Sequence, residues 1–398
     1  MKANLLVIGI LLGTAALVRG GSGVWEERAA ASLLKGRSTA TAVWTGSEMI
    51  VFGGEGMGVS FANGARYCLA ENTWAPLPAQ NGPSSRTGHT AVWTSREMII
   101  WGGFGGRMGI NTNRNDGARF DPKRNSWLPV STWNTPDARF DFTAVWTGTE
   151  MLVWGGFTDA HSRYAGGHAD AHLNSGGRYN PLTDSWRDIS PQGAPSPRSW
   201  HTAVWTGKEM IIWGGGDATK GFNDGARYDP VTDTWMPISG GCALSPRVHH
   251  VAVWAESSNA GDCGSGEMIV WGGAAREGDA GTDYFEDGAR YNPATDSWKP
   301  ISTQGVPMGR ILTKAVWTGT ELLLWGGVND AQAQGVGNRS RYVGTGALYN
   351  PATDAWRDMV EDGAPSPRLT SGVWTGQKFL TFGGWNDRHL NDAYSYSP

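Results

Sequence analysis

The chain lacks most of the features by which a sequence announces a partner or a reaction. It has no basic excess, since 33 Lys and Arg stand against 37 Asp and Glu for a net charge of -4. Nucleic-acid binding needs a positive cluster to neutralise phosphates, so that class of partner is excluded. It also lacks an apolar run suited to spanning a membrane: the stretch from Leu5 to Val18 is short and broken by glycine. Preceded by one Lys, that stretch reads as a secretory signal over residues 1–23. The expected location is secreted or periplasmic, with no membrane span in the mature form. No Cys near the leader's end offers a lipid acceptor, and the 58 glycines lack the three-residue period of collagen. Nor can a catalytic triad, a carboxylate pair or a phosphate loop be assigned, so no catalytic residue and no cofactor is expected.

What the chain does have is repetition. TAVWTGSEMIVFGG at 41–54 recurs from positions 90, 143, 202, 314 and 371, and a seventh copy starting at 251 is interrupted by nine extra residues. Between copies lies GARYDPVTDTW at 225–235, with relatives ending at Trp74, Trp127, Trp186, Trp298 and Trp356. Each unit reads as four short antiparallel strands. TAVW and EMIVWGG are joined by Thr-Gly, where glycine supplies the positive φ of a tight turn; GARYDP and DTWMPIS follow. A period of this size built from short strands and Gly-rich turns is that of propeller blades. The 22 Trp residues are expected to fill the wedges between blades.

A Gly-Gly pair after an apolar strand, then Tyr, then Trp with six residues between, resembles the kelch repeat. Tyr67/Trp74, Tyr179/Trp186, Tyr228/Trp235, Tyr291/Trp298 and Tyr349/Trp356 carry the resemblance, and Phe120 stands ahead of Trp127 in the remaining copy. The expectation is an all-β, seven-bladed kelch-type β-propeller over residues 24–398. Its count rests on an Arg twelve residues after each outer Trp, in a series that starts with Trp25 and Arg37. The predicted blades are 37–85, 86–138, 139–197, 198–246, 247–309, 310–367 and 368–398. The last of these stops before any Trp, so residues 24–36 are predicted to supply its outer strand and to close the ring.

Arg37, Arg86, Arg139, Arg198, Arg247, Arg310 and Arg368 recur once per blade, which is what a structural rule produces; the resemblance implies that they brace neighbouring loops. Glu48, Glu97, Glu150, Glu209, Glu267 and Glu321 are expected to pair with Arg66, Arg119, Arg178, Arg227 and Arg290 across strands. Ligand contact is expected where the repeat varies, on the face that carries the loops from second to third and from fourth to first strands. Trp200, His249, Asp141 and Trp385, with Phe104 and Phe157, form the candidate binding set of stacking rings and polar groups. A weaker candidate is a transition-metal site in the loop 157–177, from His161, His168 and His172 with Asp170. Cys242 and Cys263 could form a disulfide only if the insertion folds back, since they are expected on opposite faces.

The expected function is that of a secreted binding module, monomeric and without catalysis, that takes a glycan or a protein at the channel entrance. The alternative implied by the resemblance is a sugar-acting enzyme of the mutarotase type, with Asp141 or His249 as acid or base. A copper radical oxidase is disfavoured, because the innermost strands carry no Cys to cross-link and Trp200 and His249 stand where Tyr would be needed.

Overall fold

The computed structural model describes residues 21–107, 110–158, 171–239, 244–256, 265–275, 283–330 and 341–398. Seven four-stranded antiparallel sheets are arranged as the blades of one propeller. Blade 4 illustrates how each is built. Thr202–Trp205 runs innermost, followed outward by Met210–Trp213, Gly225–Asp229 and Thr234–Pro237. The hairpin between the first two is fixed by chemistry as well as by Gly207 at φ 92°, because Thr206 Oγ1 accepts hydrogen bonds from the amides of Lys208 and Glu209. Met210, Ile211, Ile212 and Trp213 are all fully buried. A second strand lies between two neighbouring blades and is covered on both faces, which is why it reads as an unbroken apolar run rather than an alternating one.

The clusters of buried side chains accordingly fall between blades. One contains Leu152 and Trp154 of blade 3 with Met210, Ile212, Tyr228 and Trp235 of blade 4. Outer tryptophans are keyed into these wedges twice: Trp235 lies 5.6 Å from the Trp154 ring, and its Nε1 donates to the Ser190 carbonyl of the preceding blade at 2.9 Å. Cross-strand pairs also reach between blades. Arg227 approaches Glu209 at 3.5 Å within blade 4 and donates to the Pro293 carbonyl of blade 5 at 2.8 Å. In blade 6, Leu348 replaces the third-strand Arg, and Glu321 instead meets Arg357 of the fourth strand at 2.6 Å.

The ring is closed by the N-terminal strand. Val24–Arg28 pairs antiparallel with His389–Ser397, placing Trp25 opposite Tyr396. Trp25 then occupies the wedge that Trp235 occupies in blade 4: its Nε1 donates to Val360 O at 3.0 Å and its ring lies 5.4 Å from Trp325. Above the main sheets, the hairpins after the Gly-Gly pairs of blades 1 and 2 join into a small sheet of their own, Glu55–Gly56, Val59–Ser60, Phe104–Arg107 and Ile110–Asn113. Cys68 is a free thiol, whereas Cys242 and Cys263 lie outside the described residues. No described helix is long and apolar enough to cross a membrane.

Candidate functional site

The walls of the entrance are set by the arginines. Each is buried, and its guanidinium is filled by backbone carbonyls: Arg139 donates from Nε to Asp137 O at 2.9 Å and from Nη1 to Gly155 O at 3.0 Å and Ser175 O at 2.7 Å. Arg37, Arg86, Arg198, Arg247, Arg310 and Arg368 bond the first glycine of their own Gly-Gly pair in the same manner. The second glycine is held by the next blade, as where the Gly54 amide donates to Arg86 O at 3.0 Å; Gly384 N to Arg37 O at 2.8 Å completes the circle. This explains the glycines themselves. A Cβ on Gly53, at φ 68°, would lie 2.6 Å from the His89 ring, and one on Gly54, at φ 84°, 2.4 Å from Ser38 O. The arginines therefore have few donors left for a ligand.

Directly after each Arg, one residue bridges to the residue that follows the Gly-Gly pair, as Phe140 does to Phe157 and Ser199 to Gly216. The next residue turns the chain into the innermost strand through a left-handed conformation. That position is Thr39, Gly88, Asp141, Trp200, His249 and Leu312 in blades 1 to 6, with φ between 52° and 61°. Five of these six are not glycine, a conformation costing on the order of 1–3 kcal/mol each, and such residues concentrate at binding sites. The turn points their side chains at the channel mouth, a cavity of about 660 Å³ lined by residues including Thr39, Asp141, Trp200, His249, Thr313 and Lys314.

A continuous belt of rings runs across blades 2 to 5, and its Trp200 and His249 end lines this mouth. Phe104 lies 4.9 Å from Phe140, Phe140 5.4 Å from Phe157, and Phe157 5.0 Å from His172. His172 is 5.7 Å from Trp200, and Trp200 5.4 Å from His249. Trp200 is anchored by its Nε1, which donates to Asp141 Oδ2 at 3.1 Å. Asp141 keeps solvent contact, yet the surrounding wall raises its carboxyl above the ordinary range, with the indole hydrogen bond pulling the other way. Burial lowers His249 to about 4, so its imidazole is neutral at pH 7. One residue further along the chain, His89, His201 and His250 also border the cavity; each bonds a threonine of the preceding blade, Thr41, Thr143 or Thr202, at 2.8–2.9 Å.

Five of the six residues singled out for binding thus fall on one belt. Trp385 does not: it stacks on His389 at 4.3 Å and lines a separate recess of about 710 Å³ between blades 7 and 1, beside Met57, Val59 and Phe61. Of the metal candidates, His172 sits in the belt with its Nδ1 3.1 Å from Ser199 Oγ, while His161, His168 and Asp170 lie outside the described residues. No group of three or more potential metal ligands occurs among the described residues.

Among the lining residues that had not been singled out, one carries a charge. Lys314 begins the innermost strand of blade 6, where blades 1 to 4 have threonine. The signal was a change within the repeat itself, from TAVW to KAVW.

Four-stranded blades closed into a ring by a shared first and last sheet, with an Arg and a Gly-Gly pair in each, define a repeat propeller. The family profile described as the KLHDC2/KLHL20/DRC7 Kelch-repeats domain matches residues 38–261, more than half of the chain. The chain belongs to the kelch-repeat family. No curated protein matched it.

Proposed function

We propose that this propeller is an exported, non-catalytic binding module that takes a saccharide at its channel mouth. The observation that carries the reading is the Trp200–His249 pair, at the end of the belt that starts at Phe104, lining a cavity of about 660 Å³. Sugar rings present apolar C–H faces edged by hydroxyls. Stacking surfaces beside hydrogen-bonding groups such as Asp141, Thr39 and Thr313 suit that pattern, and a cavity of this size fits a small ligand. Export is supported by the apolar stretch from Leu5 to Val18.

A second reading, docking of a protein, is favoured by the recess around Trp385, where Met57 is 90% and Val59 38% exposed. A glycan array with Trp200→Ala and Trp385→Ala separates the two. The saccharide reading expects Trp200→Ala to weaken binding at least tenfold and Trp385→Ala to leave it unchanged; undiminished binding by Trp200→Ala refutes it. Anomer interconversion of the bound sugar, followed by NMR, tests for turnover, and acceleration by the protein would overturn the non-catalytic assignment.

A further inference from the structure

At one position of the innermost strands, opposite the last aromatic before each Gly-Gly pair, stand Thr41, Thr90, Thr143, Thr202, Val251, Lys314 and Ser371 in blades 1 to 7. The architecture therefore accepts a hydroxyl or an apolar group here, and has no need of a cation. In blades 1, 3 and 4 the threonine is tied to an imidazole of the next blade. Blade 6 breaks both halves of that pair. Lysine replaces the threonine, and in place of the imidazole the next blade offers Thr370, whose hydroxyl is already bonded to Thr381 and the Phe382 carbonyl. Lys314 consequently extends into the cavity beside Thr313 and Thr370 without an ion pair or hydrogen bond to any described residue.

That arrangement is costly as it stands. An ammonium drawn out of water needs compensating acceptors, and burial accordingly lowers the Lys314 pKa. Asp141, the carboxylate of the cavity lining, is engaged by the Trp200 indole instead. The arginines around the wall are engaged by backbone carbonyls and, in blades 2, 4, 5 and 7, by carboxylates, which leaves Lys314 as the lining cation with donors to spare.

We propose that Lys314 is the anion anchor of the channel, and that the saccharide bound there is a sugar acid whose carboxylate meets this ammonium while its ring lies against Trp200 and His249. The proposal rests on the saccharide reading of the mouth. A neutral sugar would leave the cation unpaired, whereas a carboxylated one supplies the missing counter-charge within the same cavity.

The test is isothermal titration of the full-length mature protein with D-glucuronate and D-galacturonate, against D-glucose and D-galactose, with sodium acetate as a bare carboxylate. Lys314→Thr installs the residue that blades 1 to 4 carry, so the variant keeps the repeat's own solution at that position. The expected result is that at least one uronate binds tenfold or more tightly than its neutral counterpart. Lys314→Thr should erase that advantage and leave the neutral sugar's affinity unchanged, while Trp200→Ala weakens acid and neutral sugar together. Equal affinity for acid and neutral sugars, or an advantage that survives Lys314→Thr, overturns the anchor and leaves the saccharide reading standing. Binding of acetate as tight as that of the uronates, dependent on Lys314 and indifferent to Trp200→Ala, keeps the anion site and overturns the saccharide reading. Absence of binding by every probe overturns both.

Discussion

Replacing Trp25 by alanine tests the closure of the ring at the point where the two ends of the chain meet. Trp25 is 6% exposed, its ring meets Trp325, Phe379 and Tyr396, and its Nε1 bonds Val360 O. Truncating a buried Trp to Ala costs about 3–5 kcal/mol, combining the lost transfer energy with the cavity left behind. Unfolding entropy of roughly 2.1 cal/mol/K per residue gives ~0.8 kcal/mol/K for a domain of this length, so the melting temperature should fall by about 4–6 °C. Trp235→Ala supplies the comparison within an uninterrupted blade, since Trp235 is 7% exposed and makes the same type of carbonyl bond, to Ser190. Val24→Ala is the control: Val24 lies in the same strand but is 59% exposed, and its loss should change stability by less than ~0.5 kcal/mol.

Scanning calorimetry or urea unfolding of the three variants reads out the comparison. Equal losses for Trp25→Ala and Trp235→Ala mean that the closing strand is as firmly seated as any other. A Trp25→Ala melting point within ~1 °C of the parent would refute the reasoning, because the first strand would then be a decoration on a ring closed by other means. Deleting residues 24–34 goes further. It removes the whole ladder from Val24 opposite Ser397 to Arg28 opposite Ala393, and leaves His389–Ser397 as an open sheet edge. Such an edge is a template for association, so aggregation or loss of a cooperative transition is the expected outcome.

Further expectations follow from the mouth and its supports. Arg139→Met should destabilise the protein by about 3 kcal/mol or more in denaturant titrations, since it orphans the carbonyls of Asp137, Gly155 and Ser175 around a buried site. Carbon-detected NMR should find the Asp141 carboxyl titrating above the ordinary range, and Trp200→Phe, which deletes the indole donor, should move it higher still; a downward move would contradict the geometry. His89 and His201 are depressed to about 3 and His250 well below its ordinary value, so the unfolded chain takes up protons that the folded one refuses. Their stabilising effect is complete above about pH 6.5 and lost as pH falls toward 3, by up to ~1.4 kcal/mol per pH unit for each histidine. Unfolding at pH 7, 5.5 and 4 should show this decline, and His201→Gln should flatten it.

The fold was legible because the sequence states it seven times. Six of the seven copies carry the same hairpin threonine, and every blade has the same Gly-Gly pair and the same outer Trp, so packing between blades could be read from what stays constant. Closure was legible for the same reason. Trp25 and Arg37 repeat a spacing whose other members lie in blades, and the final sheet lacks the strand that they supply.

The site was legible only in part, and the errors of grouping have a geometric cause. Asp141, Trp200 and His249 hold the same position in blades 3, 4 and 5, so variation after the Arg led straight to three neighbours at the mouth. Trp385 was grouped with them by side-chain type. It belongs to blade 7, three steps from blade 4 in a ring of seven and so as far from Trp200 as the circle allows. In a closed ring, blade number is an angle, and two residues share a site only when their angles agree or when both reach the axis. Lys314 satisfies the second condition: blade 6 lies two steps from Trp200 in blade 4, but the innermost strand borders the axis, and the cavity there is common to all blades. A long side chain at that position can meet a ligand held by Trp200, which a residue on an outer strand of the same blade could not. The change from TAVW to KAVW therefore outweighs larger differences in the peripheral loops, because it puts a charge at the one radius where every blade converges.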